Sequence, residues 1–221
     1  MFARDDCLQL IEDTRTKLLA IINNQAGWNK KYNRSGIHIS SKKSEYFEGK
    51  MFKATMEFDA PFDKVAKTVA PSPPELQKEW NKNITSVECI KYIDEEVIVV
   101  RTVTPKAGLI SSRECIDLGM LRFEDDGETA IFVYISVEYP GYPITDGLVR
   151  AKNFPCGAIF RKIDAARSHM TYIWNMSYEG SVPVSVLESG MPYGMYNTML
   201  GLQKYIAKDY PSTNTKRCVL L

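Results

Sequence analysis

Leu8, Ile11, Leu18, Leu19 and Ile22 recur at near-helical spacing with charges between them, which predicts an amphipathic helix over 5–24, ended by Gly27-Trp28. Beyond it the period shortens. Alternating patterns at 36–41 and 49–58 predict two strands joined through the polar stretch Lys42 to Glu45. Asp59-Ala60-Pro61 predicts a helix start, with the aspartate capping exposed N–H groups and the proline tolerated in the first turn. Pro71 to Pro74 stops that helix, and 75–80 predicts a further short one. From Ile84 to Tyr178 the pattern is almost wholly strand and turn. It holds Val- and Ile-rich runs at 96–103 and 116–123, a hairpin turn at Asp125-Asp126-Gly127, a buried strand at 131–137, a long turn at 139–143, and a last pair of strands at 159–163 and 170–178. After Gly180, Ser181 as a cap and Pro183 near the first turn predict a final helix to about Asp209. The order helix, strands, helices, many strands, helix predicts an α+β domain in which one antiparallel sheet packs against a terminal helix.

Two places break this pattern. Arg113 sets a charge at the start of an otherwise apolar strand, behind a loop whose tip, Leu109-Ile110, is apolar where a hairpin loop is normally polar. Such a loop suits a gate over an apolar cavity, with Arg113 turned inward to a ligand group or a buried carboxylate; the alternative is an edge arginine whose stem lies on the sheet while its head stays in water. In the final helix Met191, Met195 and Met199 fall four residues apart, and Leu187 and Leu202 extend their face. Gly190, Pro192 and Gly194 interrupt that stripe and favour a kink or hinge. A lid over a ligand cavity and ordinary core filling both fit this face.

Bulk properties narrow the function. The 221 residues fit one large domain, and 28 basic against 27 acidic residues, net charge +1, leave no electrostatic footprint for nucleic acid. Acidic residues sit where a signal peptide would carry positive charge, and no run approaches the ~20 apolar residues of a membrane span, so a cytoplasmic location is expected. Five widely spaced cysteines, without CxxC or Cys/His pairing, fit reduced thiols. His38 and His169 lie apart from any acidic or cysteine cluster. Phosphate-binding, zinc-binding and nucleophile-elbow motifs are all missing, so no catalytic residue, metal or cofactor is expected. Glu95 and Glu96 are adjacent on a strand and point to opposite faces, so they cannot converge as an acid pair.

The string Ile110-Ser-Ser-Arg-Glu-Cys-Ile-Asp-Leu118 resembles the I-S-P-R-D-F-V-D-L signature of START (StAR-related lipid transfer) domains. Gly147 to Gly157 is similar to the family's G-x-V-R-G-x-N-x-P-C-G segment, and Ala26 to Trp28, Trp80 to Lys82, Arg101 to Pro105 and Gly190 to Pro192 add matches in the right order. The likeness covers about 5–209 and is closest to the small single-domain subgroup that binds sterols and bile acids. It implies a helix-grip fold, a curved antiparallel sheet gripping the C-terminal helix around an apolar tunnel for one lipid, with no catalytic machinery. It also implies that Arg113 is the cavity arginine and that Glu96 or Glu95 falls near its acidic partner. Ser112 for the usual proline, and Glu114-Cys115 for Asp-Phe, depart from the signature and bear on ligand identity rather than fold.

Loop, methionine face and resemblance together nominate Arg113, Glu96, Thr102, Leu109, Ile110, Asn153, Met191, Met195 and Met199 as ligand contacts. The expected function is a monomeric carrier of one sterol or bile-acid-like lipid between membranes, touching them transiently. A membrane-tethered, ligand-gated interaction module or a lipid-modifying enzyme on the same fold are the alternatives. The domain is expected to span 1–210, followed by a polar tail over 211–221 that ends in Cys218-Val-Leu-Leu221, a C-a-a-X pattern for geranylgeranylation of Cys218 beside Lys216-Arg217. One prenyl chain with two basic neighbours would give reversible attachment.

Overall fold

The computed structural model describes residues 3–70, 73–108 and 110–209. Helix α1 (Arg4–Asn23) is followed by strands β1 (Asn29–Arg34), β2 (Ile37–Lys43) and β3 (Lys50–Phe58), helix α2 (Phe62–Val69) and a 3-10 turn (Pro74–Glu79). The run β4 (Ser86–Tyr92), β5 (Val97–Thr104), β6 (Arg113–Phe123) and β7 (Thr129–Ser136) leads to the short β8 (Val149–Arg150) and β9 (Lys152–Asn153). Strands β10 (Cys156–Lys162), β11 (Ser168–Trp174) and β12 (Met176–Ser177) precede the long helix α3 (Val184–Asp209). The main sheet runs β1-β2-β3-β11-β10-β7-β6-β5-β4, antiparallel throughout, with β8 beside β6 in parallel and β9 paired to β12 in a small second sheet. This is the α+β helix-grip architecture.

Each face of the sheet carries a helix layer. Cys7, Ile11, Leu18 and Ile22 form the buried stripe of α1 and meet Val97, Val99, Ile116, Leu118, Met120, Ile131 and Val133 on one face. The opposite face turns Phe52, Ala54, Met56, Ala158, Phe160 and Met170 toward α2 and α3. Strand β6 is buried on both faces from Arg113 to Met120, so the in-out alternation that marks a half-exposed strand is absent there.

Two local expectations are corrected. Asp59 does not cap α2, whose N-cap position is Pro61 and carries no side-chain bond. Helix α3 starts at Val184, where the Leu187 N–H donates to the Pro183 carbonyl, so Ser181 lies three residues ahead of it. The sequence pattern also passed over β1, a strand of Asn, Lys, Tyr and Arg: it is an edge strand mostly open to solvent, and its lysines suit an edge that must not pair further.

Candidate functional site

Helix α3 is held at its C-terminal half. Met195, Tyr196, Met199, Leu202 and Ile206 are buried against β2, β3 and α2, in one cluster with Ile37, Ile39, Met56 and Val69. Its N-terminal half lies looser: Val184 and Val186 are 40% and 37% exposed, and Met191 is half-buried. Beneath it lies a cavity of about 210 Å³ walled by Phe52, Trp174, Met176, Tyr178, Leu187 and Met191. The Tyr178 hydroxyl donates to the Met191 sulfur at 2.9 Å, and the Lys50 ammonium crosses the rim from β3 to the Glu188 carboxylate on α3. Ligand pockets begin at roughly 300 Å³, so this cavity is smaller than a typical ligand site.

Arg113 is 2% exposed, and its guanidinium bonds the backbone of Tyr178 and Glu179, which line the cavity. Nε donates to the Tyr178 carbonyl (3.2 Å) and Nη2 to the Glu179 carbonyl (3.2 Å), while Nη1 donates to the Ser111 carbonyl and to Ser111 Oγ (2.6 Å). One side chain thereby ties the 105–112 loop to the segment leading into α3. Among the described residues no carboxylate pairs with it, and burial pulls its pKa down, against the Tyr178 phenol.

The expected acidic partner is corrected. Glu96 accepts from Arg122 Nε at 2.8 Å, and Arg122 also bonds Glu12 on α1. Glu95 is exposed in the turn before β5. The register explains this: Val97 faces Met120 whereas Thr104 faces Arg113, so Glu96 sits past the far end of β5, more than about 20 Å away at roughly 3.3 Å per residue.

The buried carboxyls lie instead on β6 itself, on opposite faces. Glu114 is fully covered and accepts from Arg101 Nε (2.9 Å), Arg150 Nη2 (3.0 Å), the Thr145 N–H (2.9 Å) and its hydroxyl (3.0 Å). Burial pushes this carboxyl up, but the four sets of hydrogen bonds outweigh it and bring its pKa to about 2. Asp117 accepts from Ser136 Oγ (2.7 Å) and Asn153 Nδ2 (2.9 Å), and burial, only partly offset by those bonds, raises it to about 6. The two motif segments of the sequence therefore meet: β8 lies beside β6, Glu114 binds Arg150, and Asp117 binds Asn153.

Of the other nominated contacts, Thr102 is half-buried opposite Cys115, and Ile110 closes the loop by a backbone bridge to Ala107. Asn153 belongs to the Asp117 cluster, and Met191 walls the cavity, whereas Met195 and Met199 are core residues. Leu109 and Cys218 lie outside the described residues. Asp117 and Tyr178 were not foreseen; for Asp117 a signal existed, since strand alternation from Arg113 puts positions 113, 115 and 117 on one face.

Residues 9–208 match the family described as START domain. The StAR-related lipid transfer protein 5 of Mus musculus is 29% identical over 201 residues, covering 89% of this chain and 94% of the mouse protein, and its Homo sapiens counterpart is 28% identical over 202 residues, covering 90% and 94%. The solved structure of human StAR-related lipid transfer protein 5 superposes with a TM-score of 0.88 at 27% identity, over 94% of this chain and 99% of that one. Human STARD10 shares the fold, with a TM-score of 0.77 at 21% identity over 92% and 80% of the two chains.

Proposed function

The chain belongs to the START domain family of lipid-binding and transfer proteins, and from that premise we propose that it is a cytoplasmic, monomeric carrier that holds one sterol or bile-acid-like lipid beneath α3. The observation that carries this reading is the cavity under the loosely held half of α3, with Phe52, Trp174, Met176, Leu187 and Met191 in its wall and Tyr178 and Glu179, which a single buried arginine ties to Ser111, along its edge. Removing an apolar lipid from water supplies the driving force for uptake. Entry requires the wall to move, because the cavity is smaller than such a ligand. Parting of the 105–112 loop from residues 178–180 releases Arg113, whose N–H groups then exchange their carbonyl partners for the ligand's polar group. Thr102 and Met191 border the path. Prenylation of Cys218 would add reversible purchase on membranes, and intact-mass analysis after expression in eukaryotic cells tests it: loss of three residues with gain of prenyl mass.

Transfer of dehydroergosterol between donor and acceptor vesicles tests the carrier. The full chain should accelerate it catalytically, at far less than one protein per sterol moved. Sterol binding without faster exchange would favour a ligand-gated interaction module, and absence of binding to sterols and bile acids alike would overturn the reading.

A further inference from the structure

The cavity beneath α3 holds a chemistry that carriage of a lipid does not require: two thioether sulfurs, each receiving a hydrogen bond. The Tyr178 hydroxyl donates to the Met191 sulfur at 2.9 Å, and the Trp174 indole N–H donates to the Met176 sulfur at 3.4 Å. All four residues line the cavity. The other methionines among the described residues, Met51, Met56, Met120, Met170, Met195 and Met199, are core residues at most 2% exposed. Met191 is half-buried, on the loosely held half of α3.

A thioether is a weak acceptor, and a buried phenol needs a good one. Burial raises the Tyr178 phenol above its ordinary range, so it stays protonated, and among the described residues the Met191 sulfur is the one hydrogen-bond partner of its hydroxyl. A sulfoxide oxygen on Met191 would be the stronger acceptor that this donor lacks. The phenol occupies one of the two lone pairs on sulfur and leaves the other for an oxidant that enters the cavity. Position adds a second effect. Met191 immediately precedes Pro192, where α3 lacks a ladder bond and bends most readily. Arg113 holds the Tyr178 carbonyl, so an oxygen inserted between Met191 and Tyr178 displaces α3 rather than the segment opposite it.

We propose that Met191 is a reversible oxidation site for hydroperoxides, and that its sulfoxide lowers the affinity of the cavity for an apolar lipid. The sulfur attacks the terminal peroxide oxygen. The O–O bond breaks as the S–O bond forms, sulfur gives up two electrons, and the proton of the terminal oxygen passes to the departing one. An alcohol leaves, or water when the oxidant is hydrogen peroxide. A methionine sulfoxide reductase reverses the step, two thiols becoming a disulfide while the oxygen departs as water. The sulfoxide sets a polar atom among the apolar side chains of the wall and shifts α3 at its proline, so the lipid is released. This rests on the carrier reading and adds its regulation.

The full chain is treated with hydrogen peroxide or with cholesterol 7α-hydroperoxide at equal concentration, and each methionine is followed by peptide-mapping mass spectrometry. Met191 should gain oxygen at least about tenfold faster than Met195, one turn further along the same helix, since access governs susceptibility. A faster reaction with the sterol hydroperoxide marks an oxidant delivered as ligand, and a faster reaction with hydrogen peroxide marks a free one; either supports the site. Affinity for dehydroergosterol should fall by about tenfold on oxidation, the loss expected for a polar atom entering an apolar wall, and return after reductase treatment. In Met191→Leu, whatever its starting affinity, peroxide should change binding less than about twofold, which separates Met191 from the indoles and thiols that peroxide also reaches. Oxidation of Met191 no faster than of Met195, or an unchanged affinity once Met191 is fully oxidised, overturns this inference and leaves the carrier reading standing. An untreated chain that binds neither a sterol nor a bile acid overturns the carrier reading and this regulation with it.

Discussion

Replacing Glu114 by Gln isolates the electrostatics that hold β6 to its neighbours. The carboxylate is fully covered, and its pKa of about 2 lies roughly 2 units below the ordinary glutamate value of ~4.3. At 1.36 kcal/mol per unit this is about 3 kcal/mol favouring the folded, charged state. The arginine partners are 19% and 16% exposed, so water screens part of the attraction and about 3 kcal/mol is an upper figure for the linkage. Because the folded pKa is depressed, this stability is fully present above the unfolded pKa near 4.3 and is lost as pH falls through about 2. Glu114→Gln removes it at neutral pH and leaves Arg101 and Arg150 facing a neutral amide, a loss of about 2–4 kcal/mol. Urea unfolding of both proteins, followed by far-UV circular dichroism at pH 7, 4 and 2.5, reads the effect: the midpoints should be well separated at pH 7 and converge toward pH 2.5. Unfolding free energies within about 0.5 kcal/mol at pH 7, or a gap that does not narrow on acidification, would refute the reasoning.

Asp117 has the opposite sign. Its raised pKa contributes stability that is present below the unfolded value near ~3.9 and lost as pH rises through about 6, up to about 3 kcal/mol, so Asp117→Asn should flatten the stability profile between pH 4 and 6. Arg113→Met removes the bonds to Ser111, Tyr178 and Glu179; hydrogen exchange should accelerate at 105–112 and 178–188 but not in α1, and unchanged protection there would exclude Arg113 as the tie. Glu188→Ala cuts the strap to Lys50 at a stability cost below about 1 kcal/mol, as expected for a partly exposed pair, yet lipid release should quicken, and in the wild type high salt should mimic it.

What the sequence made legible follows from how local each signal is. The stripe of α1 is a one-helix property, and the helix forms where its apolar residues recur. Arg113 was conspicuous as a charge entering an apolar strand, but its partners are mainly backbone carbonyls, which carry no side-chain signature. Glu96 looked close to it because the chain distance is short, whereas antiparallel register sends the two to opposite ends of the β5–β6 ladder. Met191, Met195 and Met199 share one helix face, yet position along α3 separates a cavity wall from a core, and that separation is set by tertiary packing. Asp117 and Asn153 each stood in a recognised motif; that they bind each other is a fact of tertiary structure.

Helix α3 is mechanically a cantilever: clamped from Met195 to Ile206, free toward Val184, with Pro192 just beyond the clamp where a ladder bond is missing. Val184 stands eight residues from Pro192, a lever arm of about 12 Å at 1.5 Å per residue. Flexure of ~20° at the proline carries that tip about 4 Å while the clamp stays still. The aperture can therefore widen at the cost of a few rim contacts, without drawing on the free energy that keeps the domain folded. Variation at the tip can retune how fast the door swings, and variation at the clamp how well the house stands, each with little penalty to the other.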